Sequence, residues 1–250
     1  MAWRKWDTLT KRAKRPTKCR VCGQAMTKKE ATAITGGLGD ASKMPGRTYG
    51  IPAKECNVGG KLQNVKGSVC EGCYALKGRY MFDNVQDAQY RRLASLTHPL
   101  WVDAMVCLLC GEEHFRWHDS GDLQSLDHLR RIVEVVERTP DVAHWLPTRE
   151  YALVAQYRRE FGAFPPNLVV RLSAPMVGAQ MPERAGTSSM VIAKGAATPV
   201  GVKLCDAPHT RADGSRVEVI TPTNRKELGH CGDCRACWTP SVTKVGYGIH

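Results

Sequence analysis

The stretch His114-Phe-Arg-Trp-His-Asp-Ser-Gly-Asp122 opens the part of the sequence that decides the fold. Residues 114–118 are predicted to form a strand, which the polar residues 119–122 end. Ser125 then provides the N-cap of a helix over residues 126–138, where apolar residues recur at helical spacing. A strand followed directly by a helix is half of a parallel α/β unit.

Two further strands are predicted at residues 142–146 and 167–172, with a helix between them that ends near residue 161. Strands that alternate with helices at this spacing pair in parallel through right-handed crossovers. A closed barrel of eight strands does not fit into the rest of the chain. We therefore predict an α/β fold, a partial (β/α) barrel with parallel strands, over residues 36–200.

The predicted strands carry polar residues where they end, among them Asp119, Asp122, Arg149 and Ser173. In parallel α/β folds the chemistry collects at these carboxyl ends. Asp119 and Asp122 are therefore candidate catalytic acids, and His118 is a candidate general acid or base. The alternatives are turn and capping roles for the two acids and a core position for His118.

Composition places the chain among globular proteins, with 250 residues, 42% hydrophobic residues and a net charge of +12. Apolar runs fall well short of the roughly 20 residues that a membrane span needs, and the first residues lack the apolar core of a signal peptide. We expect a cytoplasmic protein with no membrane association. In that reducing compartment its 11 cysteines are better explained as metal ligands than as disulfides.

The first cysteine group is Cys56, Cys70 and Cys73. Three thiolates leave one position open on a cubane iron–sulfur cluster or on a tetrahedral zinc ion, and a catalytic metal needs such a position. A structural zinc knuckle completed by another cysteine pair is the alternative.

The second cysteine group lies in the segment 201–250. It contains three cysteines at two-residue intervals, and Cys205 is the best fourth ligand, ahead of His250; the three are Cys231, Cys234 and Cys237. This spacing suits structural zinc and iron–sulfur clusters alike. We predict a second metal here, zinc or iron–sulfur, that braces the C-terminal segment.

Two further pairs, Cys19 with Cys22 and Cys107 with Cys110, each resemble half of a zinc ribbon. The second pair lies in an apolar stretch, where cysteine is commonly a buried small hydrophobe. We therefore expect Cys107 and Cys110 to be buried without a metal.

Residues 1–35 are predicted to form a basic arm. Within residues 1–30, ten Lys and Arg residues stand against Asp7 and Glu30, which gives this segment a charge of +8. Such a density suits the phosphate backbone of DNA or RNA. A solvated tail without a partner is the alternative.

Four segments of the sequence resemble the phage gene product 88 family, and the resemblance covers most of the chain beyond the basic arm. They are Ile51-Pro-Ala-Lys-Glu-Cys56, Cys70-Glu-Gly-Cys-Tyr-Ala75, Arg116-Trp-His-Asp-Ser-Gly-Asp122 and Cys231-Gly-Asp-Cys-Arg-Ala-Cys-Trp238. This resemblance implies a phage origin. It implies little about activity.

A more distant similarity connects the first cysteine group, placed ahead of a parallel α/β unit, to the radical S-adenosylmethionine (radical SAM) superfamily. It implies a [4Fe–4S] cluster on the three cysteines, S-adenosylmethionine on the open iron, and hydrogen abstraction from the substrate after reductive cleavage of that cofactor. The implied cofactor contacts are Ser120, Gly121 and Asp122 to its amino group, and Arg171 and Ser173 to its ribose or carboxylate. The thirteen residues between Cys56 and Cys70 depart from the superfamily's usual shorter loop.

A rival similarity rests on Asp119-Ser-Gly-Asp-Leu-Gln124, which is similar to a segment of the tRNA-guanine transglycosylases. It implies a zinc-containing enzyme that exchanges bases in DNA, with Asp119 and Asp122 recognising the base and attacking the sugar. A third hypothesis is a nucleic-acid-binding or host-interacting phage protein with structural metals only. The leading prediction is an iron–sulfur enzyme acting on nucleic acid or a nucleotide, in an undetermined oligomeric state.

Overall fold

The computed structural model describes residues 25–41, 43–180, 186–205, 207, 218–220, 226–228 and 231–248. The helices of these residues are α1 (Lys28–Thr35), α2 (Asn57–Leu62), α3 (Asp83–Ser95), α4 (Trp101–Leu109), α5 (Leu126–Glu137) and α6 (Tyr151–Phe161). Short 3₁₀ turns lie at Ala53–Glu55, Tyr74–Leu76, Gly78–Met81 and Ala236–Trp238.

The strands of the same residues are β1 (Gly39–Asp40), β2 (Arg47–Tyr49), β3 (His114–Trp117), β4 (Ala143–Thr148), β5 (Leu168–Ser173), β6 (Ser188–Ile192), β7 (Lys203–Leu204), β8 (Glu218–Ile220), β9 (Lys226–Leu228) and β10 (Lys244–Gly248). Eight of them form one sheet in the order β1-β2-β3-β4-β5-β6-β10-β7, and β8 and β9 pair separately. All neighbours in the large sheet are parallel except β1 and β2.

The α/β class and the parallel strands are therefore confirmed. The described strands leave the sheet open, because its two edges, β1 and β7, are not paired with each other. An open sheet is compatible with a partial barrel, which remains a prediction about its curvature. Ser125 caps α5 as predicted, accepting a hydrogen bond from the backbone of His128 at 3.0 Å.

The sheet has two chemically different faces. One face packs against the helices in the main hydrophobic core, to which Phe115 and Trp117 of β3 and Leu146 of β4 contribute. Because side chains alternate along a strand, Arg116 and Trp145 lie on the opposite face. Arg171 of β5 lies on the same face, because the strand register aligns it with Pro147, two residues after Trp145.

Four strands of the large sheet were not predicted: β1, β2, β7 and β10. β2 has only three residues, too few for a period to be read. β10 inserts between β6 and β7 from the end of the chain. Gly246 permits this insertion, since a methyl group there would lie 2.7 Å from Ile192 Cδ1.

The segment predicted as a basic arm contains α1, a helix with a capping box between Thr27 and Glu30. This helix packs on α4 through a small cluster that includes Ala31 and Cys107, so Cys107 is buried as predicted, whereas Cys110 is only partly buried. Residues 1–24 lie outside the described residues, as do Cys19, Cys22 and His250. Within the described part of the chain, the helices are too short or too polar to cross a membrane.

Candidate metal and cofactor site

Two hydrogen bonds join the loop that follows β2 to the loop that follows β3, at the carboxyl edge of the sheet. The Ile51 amide donates to the Ser120 carbonyl at 2.9 Å, and the Ser120 hydroxyl donates to the Ile51 carbonyl at 2.8 Å. Gly121 has a φ of +81° and packs so closely on Ile51 that a side chain would collide with it. This contact explains why the turn uses serine and glycine.

Cys56, Cys70 and Cys73 come together beside this edge. A methyl group on Gly59 would lie 3.5 Å from Cys56 Sγ and 3.6 Å from Cys70 Sγ, so both sulfurs border one small space. The Cys73 amide donates to the Cys70 carbonyl at 3.2 Å. Burial raises the pKa of both Cys56 and Cys70, and the Cys73 thiol nearby raises both further.

Asp122 lies next to this cysteine group and is buried. Its Oδ1 accepts hydrogen bonds from Thr148 Oγ1 at 2.5 Å and the Leu123 amide at 2.8 Å, and its Oδ2 accepts from the Arg149 amide at 2.8 Å. Burial raises the pKa of Asp122 to about 6, although these hydrogen bonds oppose the shift. The carboxylate adds to the effect of burial in raising the pKa of Cys56.

Two residues after β4 complete the charge distribution around the cysteines. Arg149 lies near enough to Cys70 to lower the pKa of that thiol, against the larger opposite effect of burial. Its Nε is buried without a hydrogen-bond partner among the described residues. Glu150, 6% exposed, accepts from the Val58 amide at 2.8 Å and places a second carboxylate by Asp122. The sequence analysis had not singled out Glu150, although it directly follows Arg149, one of the polar residues assigned to a strand end.

The remaining residues predicted to contact the cofactor have other partners. Besides its bond to Ile51, the Ser120 hydroxyl accepts from Gln89 Nε2 at 3.1 Å. Ser173 Oγ lies 3.0 Å from Ser189 Oγ. The Arg171 guanidinium, fully buried, is directed to backbone carbonyls of β6 and the C-terminal segment. The structure thus brings Asp122 to the cysteine group and turns the Arg171 side chain elsewhere.

The other two predicted catalytic residues have separate environments. Asp119 accepts hydrogen bonds from Tyr80 Oη at 3.1 Å and, through its carbonyl, from Tyr74 Oη. His118 is 3% exposed with a φ of +57°, and its ring centroid lies 5.2 Å from that of His128. Burial and the neighbouring His128 hold the pKa of His118 well below its usual value, so its imidazole is neutral.

The second cysteine group also converges. The Cys205 amide donates to the Gly246 carbonyl at 2.8 Å, and Cys237 Sγ lies 3.2 Å from Tyr247 Oη. Burial raises the pKa of Cys205 to about 12 and that of Cys231 to about 11, and the neighbouring thiols, including Cys234, add to both shifts. All four predicted ligands therefore lie within electrostatic reach of one another.

A family model for gene product 88 matches residues 14–240. The chain belongs to the gene product 88 family. The resemblance read from four segments is thereby confirmed, together with the prediction of a phage protein. No curated protein and no solved structure matches the chain.

The two cysteine groups of this gene product 88 protein match thiolate metal sites in donor chemistry. Iron–sulfur clusters and zinc are both held by cysteines at such spacings. As the side chains stand, however, no group of three or more His, Cys, Asp or Glu residues in the described ranges could hold an ion.

A surface cavity of about 420 Å³ lies in this gene product 88 protein at the opposite end of the strands from the first cysteine group. It is lined by residues of the α5 end and of the loop before β5, such as Pro140 and Phe164. These residues lie at the amino ends of the strands, whereas the cysteines and Asp122 lie at the carboxyl ends. The cavity is not part of the candidate site.

Proposed function

We propose that this protein is an iron–sulfur enzyme of the radical SAM type, in which Cys56, Cys70 and Cys73 are the ligands of a [4Fe–4S] cluster. One observation carries the proposal: Cys56 Sγ and Cys70 Sγ border one small space at Gly59, and Cys73 lies within electrostatic reach of both thiols. A cluster with three cysteine ligands leaves one iron open to S-adenosylmethionine, whose reductive cleavage supplies a radical for hydrogen abstraction.

The charged residues beside the cysteines suit the amino-acid end of such a cofactor. Asp122 and Glu150 supply two carboxylates for an ammonium group. Arg149 has a buried Nε without a partner in the described residues, and a guanidinium is a preferred donor to a carboxylate. We assign the amino group to Asp122 and Glu150, and the carboxylate to Arg149.

Metal content of anaerobically purified protein tests this proposal. We expect about four irons with matching sulfide at this site, and a brown colour that dithionite bleaches. Cys73→Ser should lose this iron while the chain stays folded. Cys107→Ala is the matched control, because Cys107 is buried between α1 and α4, apart from both cysteine groups.

The reconstituted protein should also cleave S-adenosylmethionine when dithionite is supplied, and Cys73→Ser should not. Protein that holds only zinc, even after anaerobic reconstitution with iron and sulfide, would refute the iron–sulfur proposal. The transglycosylase hypothesis would then become the better one. Its test is a covalent adduct with nucleic acid that Asp119→Asn or Asp122→Asn abolishes.

The substrate class we propose is nucleic acid or a nucleotide, supported by the charge of residues 1–30. Residues 1–24 lie outside the described residues, so the support is compositional. A chain lacking residues 1–24 should bind DNA or RNA more weakly, with a smaller salt dependence. Unchanged binding would remove this segment from the interface.

A further inference from the structure

Arg116 of β3 has few hydrogen-bond acceptors for a buried guanidinium. The group stacks over the Trp145 ring, with Cζ 4.5 Å from the centroid. Its terminal nitrogens donate to Tyr74 Oη at 3.3 Å and to Met44 Sδ at 3.2 Å, a weak acceptor. Its Nε is buried without a partner, and among the described residues no carboxylate forms an ion pair with it.

Arg171 of β5 provides the comparison within the same molecule. It donates to six backbone carbonyls, at distances between 2.7 and 3.4 Å: those of Cys237, Ser188, Thr243, Ala236, Thr239 and Val242. A buried donor without an acceptor costs about 1–3 kcal/mol, and more when it is charged. The fold supplies backbone acceptors for the Arg171 guanidinium, whereas Nε of Arg116 has no acceptor among the described residues.

Two more polar groups around Arg116 are buried and unpartnered in the described part of the chain. Trp145 is 4% exposed, and its Nε1 donates to nothing there. Asp119 Oδ1 accepts nothing there, while its Oδ2 accepts from Tyr80. Gly50 faces Asp119 Oδ1 so closely that any side chain would collide with the carboxylate. The unused donors of Arg116 and Trp145 therefore belong to two stacked side chains, and the unused acceptor belongs to Asp119, a carboxylate within electrostatic reach of Arg116.

We propose that Arg116, Trp145 and Asp119 form a binding subsite for an oxyanion, a phosphate or a carboxylate, that has a hydroxyl or amino donor beside it. The guanidinium and the indole N–H hold the oxyanion, since arginine pairs with phosphate and carboxylate oxygens through parallel hydrogen bonds. Asp119 Oδ1 accepts from the neighbouring hydroxyl or amine. A nucleotide, with its phosphate and ribose hydroxyls, has this combination.

The position of the subsite relates it to the proposed enzyme. Tyr74, which donates to the Asp119 carbonyl and contacts Arg116, directly follows Cys73 in the chain. Tyr74 thus links Arg116 to the first cysteine group, and the subsite, which rests on the proposed function, deepens it by naming the polar end of its substrate. Arg116 also lies within electrostatic reach of Cys231, which offers a competing anion if that thiol is ionised.

Calorimetric titration of the full chain with inorganic phosphate, acetate and adenosine 5′-monophosphate tests the subsite. We expect saturable binding of the monophosphate and of at least one simple anion. Arg116→Gln should raise the dissociation constants of the monophosphate and of the simple anion about tenfold or more, and Arg116→Lys should retain only part of the wild-type affinity. The matched control is Arg47→Gln, an exposed arginine on neighbouring β2 whose partner is Asp40; it should bind as the wild type.

A second variant separates anion binding from a loss of folding. Asp119→Asn should weaken the binding of the monophosphate, which brings hydroxyl donors, and leave acetate, which has none, bound at least as well, because a negative charge is removed. The proposal is overturned if the wild type binds none of the three probes, or if Arg116→Gln binds them unchanged. It is also overturned if Arg116→Gln alters only the metal content of the C-terminal cysteine group.

The same titration with Cys56, Cys70 and Cys73 all replaced by serine keeps the two proposals apart. Phosphate binding that persists there supports the subsite even if the protein never holds iron. Iron and cofactor cleavage in a chain that binds no anion would support the enzyme and refute the subsite.

Discussion

Thr148 donates a hydrogen bond of 2.5 Å to the buried carboxylate of Asp122, and this bond joins the loop after β3 to the end of β4. The Thr148 hydroxyl also accepts from the Glu150 amide at 3.0 Å. One hydroxyl therefore positions both acids next to the first cysteine group. The arrangement depends on two strands that are adjacent in the sheet but separated by a whole helix in sequence.

We predict that Thr148→Val destabilises the protein by about 2 kcal/mol at pH 7, because it leaves the Asp122 carboxylate and the Glu150 amide each short of a partner. Urea unfolding measures the change. Thr148→Ser keeps the hydroxyl and should cost clearly less. A loss for serine as large as that for valine would mean that the Thr148 methyl group contributes as much stability as its hydroxyl, contrary to this prediction.

Gly59→Ala tests whether the space that Cys56 Sγ and Cys70 Sγ border holds the proposed metal cluster. The added methyl would lie 3.0 Å from Cys56 Cβ and between Cys56 Sγ and Cys70 Sγ, so we expect a folded chain with at most about half the iron of the wild type. Gly60→Ala is the control in the same helix, since a methyl there meets nothing within 4 Å. Equal iron in the two variants would contradict a metal at this position.

Arg171→Met should release the C-terminal segment from the sheet. Six backbone carbonyls lose the donor that Arg171 supplies, and we expect a loss of stability of about 3 kcal/mol or more. Limited proteolysis should then cut near residues 236–243 first. The control is Arg130→Met on α5, an exposed arginine paired with Asp127, which should leave both stability and the cleavage pattern nearly unchanged.

Acid should destabilise the protein through its buried histidines. Burial lowers the pKa of His128 and of His144 to about 3, from an ordinary value near 6.5. A lowered folded pKa means that the unfolded chain takes up the proton first. The stabilising effect is therefore complete above pH 6.5 and is lost as the pH falls from 6.5 towards 3.

Each of these histidines should remove about 1.4 kcal/mol of stability per pH unit within that window. Urea unfolding at several values between pH 7 and pH 5 measures the slope. His144→Gln should make the slope shallower by about one proton. A slope that does not change with this substitution would mean that His144 is already protonated in the folded protein.

Much of the α/β unit was readable from the sequence because its signals are local. The apolar period of residues 126–138 and the Ser125 cap set the position of α5 within one residue. Parallel pairing of β3, β4 and β5 followed from their alternation with helices. The two cysteine groups were also visible as spacings, and the structure places the members of each near one another.

The sequence by itself thus determined the α/β class, the strand ends that carry the site and the two sets of cysteines. Tertiary structure alone decided that β10 enters the sheet between β6 and β7, that Glu150 joins Asp122, and that Arg171 is satisfied while Arg116 is not. The physical reason is the range of the interactions. Caps, periods and ligand spacings act within a few residues, whereas the partners of a buried charge come from segments brought together only by folding.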